Sequence, residues 1–262
     1  MKLVPKKSLG QNFLIDTKIL NLITEIGNIK TNDIILEVGP GTGLLTEKII
    51  DKKPREIIVI EKDEKLAANL NDKFGTKIKI VNDDMMEFSY DNFLNKNIII
   101  FGNLPYNIST QILAKWIKMN NLNKFCKRFI LMFQKEVADR IIAKTNTKNY
   151  GRLSILANWK MEINKITDVE PTSFRPSPKV KSTVLELVPK EKFYQLKDAK
   201  NLEHVTNIFF SQRRKMIRKP FKFLFRNFES ISKKLSIDLS LRPQNLDNIT
   251  YYKICEIYES LS

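Results

Sequence analysis

The chain has 262 residues, 42% apolar and 28% charged, which suits a folded protein of one large or two unequal domains with a substantial core. No apolar run reaches the roughly 20 residues that cross a bilayer, and the start, 1-MKLVPKKSLGQNFL-14, lacks the apolar centre and cleavage site of a secretory signal, so a cytoplasmic protein is expected. The net charge of +16 is unevenly placed: residues 1–100 hold 15 Lys/Arg and 15 Asp/Glu, residues 101–262 hold 30 and 14. A solvated, Lys-rich surface explains the total, but a neutral first part joined to a basic remainder better fits a small-molecule site beside a nucleic-acid-binding surface.

In chain order, the apolar β-branched runs 34-IILEV-38, 57-IIVIE-61, 78-IKIV-81, 98-IIIF-101 and 129-FILMF-133 read as buried strands. Between them 44-LLTEKII-50, 64-EKLAANLNDKF-74 and 109-STQILAKWI-117 carry helical spacing. Such alternation predicts an α/β fold with a mostly parallel, doubly wound sheet. Two more strands, within 161-MEINKITDV-169 and 180-VKSTVLELV-188, are joined only by the Pro-rich 171-PTSFRPSPK-179, a connection that suits an antiparallel pair and brings the sheet to seven strands with an antiparallel end. From 203-EHVTNIFFSQRRKMIRKPFKFLF-225 onward the pattern is helical, with further helices at 228-FESISKKLSI-237 and 249-ITYYKICEIYE-259. A boundary near 189-PKEK-192 divides the chain into 1–190 and a small all-α domain, 191–262.

Cys126 and Cys255 form no CxxC and His204 is the only histidine, so a disulfide framework, a zinc site and Ser/His/Asp chemistry are disfavoured, and any catalysis is expected to need no metal. His204 and Cys255 are read as structural or incidental.

Four strand ends carry ligand-type residues. In 34-IILEVGPGTGLLTEKI-49 a strand runs through Gly39, Gly41 and Gly43 into a helix, bringing backbone close to a ligand; a plain tight turn is the competing explanation. Glu61, 18 residues after Gly43, can accept both hydroxyls of a ribose. Asp83 or Asp84, in 82-NDDMM-86, can accept from an adenine amino group. The fourth end is 102-GNLPYNIS-109. The exocyclic nitrogen of adenine is a poor nucleophile, because its lone pair is delocalised into the ring. The Asn103 side-chain oxygen and the Leu104 carbonyl can accept its two hydrogens, Pro105 fixes the turn, and Tyr106 offers a face for the base. With an already activated electrophile, such as the sulfonium methyl of S-adenosylmethionine, placement and electrostatics carry the reaction.

The asparagine-x-proline-aromatic motif resembles that of amino-methyltransferases acting on adenine. With 8-SLGQNFL-14, 37-EVGPGTGLLT-46, 174-FRPSPKVKS-182 and 209-FFSQRRKMIRK-219, it closely resembles the bacterial small-subunit ribosomal RNA adenine dimethyltransferases, the KsgA family, over nearly the whole chain. The resemblance implies a Rossmann-like S-adenosylmethionine-dependent methyltransferase domain and a helical RNA-binding domain. It implies that two neighbouring adenines in a hairpin loop near the 3′ end of small-subunit rRNA become N6,N6-dimethyladenines, within an immature subunit, alongside a checkpoint role in assembly. It further implies that Asn12, Leu14, Gly39, Gly41, Glu61, Asp84 and Asn103 touch the cofactor, Asp84 being preferred to Asp83 because it directly precedes Met85-Met86. Asn103, Leu104 and Tyr106 are then expected to shape the target-base site and Phe174 to close it from the opposite face, while the N-terminal block forms a lid with Lys6 and Lys7 near RNA. Without it, Phe13 and Leu14 pin the N-terminus and Phe174 is a hydrophobic plug.

A single helix through 203–219 would turn Val205, Ile208, Phe209 and Met216 to a core and leave Arg214, Lys215, Arg218 and Lys219, with Arg213, as a phosphate-binding surface. No membrane is expected as a partner, and a monomer is the default. An oxidoreductase explains Glu61 and the glycines but neither 103-NLPY-106 nor the basic tail. A large-subunit rRNA adenine dimethyltransferase of the macrolide-resistance type and a non-catalytic assembly factor are the other readings.

Overall fold

The computed structural model describes residues 11–261. Lys6, Lys7 and the Ser8-Leu9-Gly10 part of the first block lie outside the described residues.

By its contacts the chain forms two compact units, one running through Ala138 and including Glu162–Pro189, the other Asp139–Met161 together with the chain from Lys190 onward. In the first unit the elements are β1 (Phe13–Leu14), α1 (Thr17–Gly27), β2 (Ile34–Val38), α2 (Leu44–Asp51), β3 (Glu56–Ile60), α3 (Glu64–Phe74), β4 (Lys79–Val81), β5 (Ile98–Asn103), α4 (Ser109–Ile117), α5 (Leu122–Phe125) and β6 (Cys126–Gln134). α6 (Lys135–Ile141) contains the first crossing between units, and α7 (Arg152–Lys160) precedes the second. β7 (Met161–Val169), β8 (Phe174–Arg175) and β9 (Ser182–Pro189) follow.

Seven strands form one sheet in the order β4-β3-β2-β5-β6-β9-β7. The pairs β2–β3, β2–β5, β3–β4 and β5–β6 are parallel, and β9 joins β6 antiparallel. Every residue of β2 is buried, as a central strand with helices over both faces requires. Local chemistry sets the helix ends. Asp16 accepts from the Lys18 and Ile19 amides at the start of α1, which ends at Asn28 in the left-handed conformation, and Asp63 caps α3 through the Lys65 amide.

The strand order reverses between β2 and β5, the place where open α/β sheets bind ligands. Register lines up the strand ends there: Val38 faces Ile60 and Gly102, and Ile60 faces Val81. Gly39, Glu61, Asn82 and Asn103 therefore leave the sheet at one level. A separate two-stranded pairing, Phe13 with Arg175 and Leu14 with Phe174, ties the N-terminal segment to β8; the Ile15 amide donates to Ser173 O at 2.9 Å and Ser173 Oγ to Asp16 at 2.9 Å.

The helical unit contains α8 (Ala199–Phe210), α9 (Arg218–Leu224), α10 (Phe228–Lys234) and α11 (Asn248–Leu261). Phe209 stands edge-on to Tyr251 and Phe221 at 5.4 and 5.5 Å. Buried Glu259 accepts from the Lys197 and Asp198 amides and from Asn201 Nδ2, holding the start of α8 on α11. Unlike the expected division at 190, this unit also takes in 139–161. Tyr150 donates to Asn248 Oδ1 at 2.8 Å, Tyr252 to Ile155 O at 3.0 Å and Trp159 Nε1 to Tyr194 O at 2.7 Å, so α7 is bonded into the tail. The single helix expected over 203–219 is also corrected. α8 stops at Phe210 and α9 begins at Arg218, because the Ile217 amide donates to Leu241 O and Ile217 is buried, which draws the connection inward. Val205 and Phe209 face the core as expected, whereas Met216 is 60% exposed.

Candidate active site

A cavity of about 260 Å³ opens at the reversal between β2 and β5 and is lined from all four strand ends and from the N-terminal segment. Asn12, Leu14, Gly39, Gly41, Glu61, Asp83, Asp84, Asn103, Leu104 and Tyr106 all line it.

The glycine turn is shaped by its neighbours. Gly41 has φ +59°, and a Cβ there would come within 2.7 Å of the Phe13 ring; Gly43 has φ +76°, and a Cβ would meet Phe74 and Leu70 at 2.6 and 2.7 Å. Only glycine satisfies both conditions. Glu61 holds the turn from the next strand, Oε2 accepting from the Gly41 amide at 3.2 Å and Oε1 from the Asp63 amide at 2.9 Å. Burial pushes its carboxyl upward, against the backbone bonds from Asp63, Gly41 and Lys62 that favour the charge. The carboxylate keeps acceptor capacity for a further donor. Glu37, buried one strand away, accepts from Thr46 Oγ1 at 2.6 Å, and burial raises its carboxyl to about 7, with Glu61 adding to the rise.

On the third strand end Asp84 Oδ2 meets Lys62 Nζ at 2.6 Å and Oδ1 accepts from the Met86 amide at 2.9 Å. The Lys62 ammonium, followed by the Met86 amide, holds this carboxyl below its usual range. Asp83 instead caps the Asp84 amide at 2.7 Å.

At the fourth, Asn103 Nδ2 donates to Asn12 O at 2.8 Å. That bond assigns Nδ2 as the donor and leaves Oδ1 as an acceptor. Leu104 is buried beneath the loop, and the Tyr106 hydroxyl lies 2.6 Å from Ser182 Oγ, which fixes the ring's tilt. Phe174 is placed differently from the expectation. It pairs with Leu14 through β8, is 2% exposed, belongs to the sheet's hydrophobic core and does not line the cavity. In this structure its ring packs within the core.

Several contributors were invisible in sequence. The Phe13 ring over Gly41, the Asn12 carbonyl on Asn103 and Ser182 on Tyr106 join segments up to 91 residues apart. Only the 8-SLGQNFL-14 and 174-FRPSPKVKS-182 blocks hinted at them. Of the basic tail residues, Arg214, Lys215 and Lys219 are exposed. Arg213 is spent internally, Nε on Gln244 Oε1 at 3.1 Å and Nη2 on Thr147 O at 3.2 Å. Arg218 pairs with Glu229 at 2.9 Å. Among the described residues no group of His, Cys, Asp and Glu could hold a metal, and no helix is long and apolar enough to cross a membrane.

A mostly parallel sheet with an antiparallel β9, and with a glycine turn, a buried strand-end glutamate and an Asn-Leu-Pro-Tyr loop around one cavity, defines a Rossmann-like methyltransferase. The profile of the ribosomal RNA adenine dimethylase family matches residues 4–262. The ribosomal RNA small subunit methyltransferase A of Pelagibacter ubique (strain HTCC1062) is 54% identical over 98% of this chain and 97% of its own. The protein of that name from Ehrlichia chaffeensis (strain ATCC CRL-10679 / Arkansas) is 39% identical over 94% and 93%. A dimethyladenosine transferase from Plasmodium falciparum superposes with a TM-score of 0.79 at 26% identity, covering 95% of this chain and 98% of that one. The chain belongs to the ribosomal RNA adenine dimethylase family.

Proposed function

We propose that the chain, by family an S-adenosylmethionine-dependent rRNA adenine dimethyltransferase, methylates N6 of two adjacent adenines in a hairpin loop near the 3′ end of small-subunit rRNA, within an immature subunit in the cytoplasm. The observation that supports the chemistry is the Asn103 amide, which lines the cavity and whose nitrogen donates to Asn12 O, so that its oxygen remains available as an acceptor. The cavity fits the cofactor: the turn at Gly39 and Gly41 admits close approach of a ligand, Glu61 has acceptor capacity for ribose hydroxyls, and Asp84 has it for the adenine amino group. Asn12 and Leu14 close over it from the N-terminal segment. When bound, S-adenosylmethionine supplies a methyl group on a sulfonium, an electrophile that needs no further activation.

The protein's part is then to present a nitrogen. Asn103 Oδ1 and the Leu104 carbonyl accept the hydrogens of the target N6, which favours a pyramidal nitrogen with its lone pair directed away from the ring. Tyr106, braced by Ser182, supports the base. Arg214, Lys215 and Lys219 supply phosphate contacts from the helical unit, and the protein acts as a monomer. Small rather than large subunits are favoured by the 54% identity to a small subunit methyltransferase.

The test is methyl transfer from labelled S-adenosylmethionine to immature small subunits or to large subunits. Label is expected in small-subunit adenines only. Asn103→Ala should lower turnover by roughly 100-fold or more while subunit binding stays near wild type. Transfer to neither subunit, or equal loss of binding and turnover in the variant, refutes the reading.

A further inference from the structure

The turn that carries Asp84 is held from both ends. At its start the Asp84 carboxylate accepts from the Met86 amide at 2.9 Å, and Asp84 O accepts from the Glu87 and Phe88 amides, both at 2.9 Å. The carbonyls that such a turn leaves without internal partners lie at its far end, and there a single cation collects them. Lys115 Nζ donates to Met86 O at 2.6 Å, Phe88 O at 3.0 Å and Met85 O at 3.4 Å, and lies 5.2 Å over the Tyr90 ring. An ammonium has three donors, and this geometry uses all of them. A surface lysine kept only for solubility would stay in water; this half-buried one closes the turn as a basic C-terminal cap closes a helix.

Lys115 reaches the turn from α4, the helix that begins directly after the Asn-Leu-Pro-Tyr loop. It does not line the cavity. Its effect on a ligand must therefore pass through the turn, whose first residues, Asp84, Met85 and Met86, do line it. We propose that Lys115 is a positioning residue for cofactor recognition: by holding the Met85, Met86 and Phe88 carbonyls it fixes the Asp84 carboxylate where it reads the 6-amino group of the cofactor's adenine. This rests on the reading that the cavity binds S-adenosylmethionine with its adenine at Asp84. It makes α4 a shared support, presenting the target-base loop at its N-terminus and steadying the adenine turn from its second turn.

The experiment compares full-length wild type with Lys115→Met, Lys115→Gln and Lys115→Arg. Calorimetry gives Kd for S-adenosylhomocysteine and for S-inosylhomocysteine, in which the 6-amino group is replaced by a carbonyl oxygen. Both neutral variants are expected to weaken S-adenosylhomocysteine roughly tenfold, to leave S-inosylhomocysteine almost unchanged, and so to compress the ratio between the two. The KM for S-adenosylmethionine should rise with kcat at saturation and the KM for subunits unchanged, and Lys115→Arg should restore most of the selectivity. Equal weakening of both ligands, or a lower Tm with the ratio kept, overturns the proposal, since a merely structural lysine has no reason to favour one base. Failure of the wild type itself to bind S-adenosylhomocysteine would refute the cofactor reading, and the inference with it.

Discussion

At Glu37 a carboxyl sits in the interior of a methyltransferase site with one hydroxyl for company. Its ordinary value of 4.5 rises to about 7, first because burial penalises the charge and against the bond from Thr46 Oγ1. Below 4.5 the group is protonated whether the chain is folded or not. Between there and about 7 the folded protein keeps a proton that the unfolded chain has lost, so the folded state binds more protons and stability falls as pH rises through the window. Glu37→Gln mimics the protonated form and lacks this dependence. Thermal unfolding of the ligand-free proteins is expected to show wild type losing Tm relative to Glu37→Gln from pH 5 to pH 8, and parallel curves would refute it. Asp84 has the opposite sign, because Lys62 and the Met86 amide favour its charge. The two carboxyls thus divide one cavity between a neutralisable wall and a fixed negative point.

Among the elements, the N-terminal strap and the glycine turn depend on each other. Gly41→Ala would require a left-handed alanine and drive a Cβ to 2.7 Å from the Phe13 ring. A loss of roughly 1–3 kcal/mol in stability is expected, together with weaker cofactor binding as the Asn12 carbonyl moves off Asn103. An undiminished Kd for S-adenosylhomocysteine would show that the strap takes no part. The same elements show what a sequence can disclose. The strands, the glycine turn, Glu61 and the Asn103 loop were legible because periodicity and turn chemistry are local and register follows from burial. β1 and β8 are two residues each and carry no period of their own; their pairing is set by contacts between segments far apart in the chain, Phe13 with Arg175 and Leu14 with Phe174. The resemblance alone assigned Phe174 to the target base, and its pairing with Leu14 and its place in the core could not be read locally. The break between α8 and α9 was hidden similarly, since it is set by Leu241 O. Its one local sign was Pro220, at home in the first turn of a new helix.

Across the whole molecule, the basic excess of residues 101–262 divides into charges that build and charges that remain available. Arg213, bonded to Gln244 and Thr147, belongs to the first class, and Arg214 to the second. Arg214→Ala is expected to flatten the dependence of log K on log salt for subunit binding by roughly 0.7–0.9 per lost phosphate contact. Arg213→Ala should leave the slope alone and lower Tm. The reverse pattern would move the RNA-facing surface away from this segment.

The chain also enters the helical unit twice, at Asp139 and again at Lys190, and that has a consequence in time. A polypeptide emerges from its N-terminal end, so the sheet has all its strands once β9 is made. Tyr150, Ile155 and Trp159 exist by then, but their partners Asn248, Tyr252 and Tyr194 do not. The methyl-transfer half can therefore mature during synthesis while α7 waits for α11, and the helical unit, with its basic surface, is the last part to become competent.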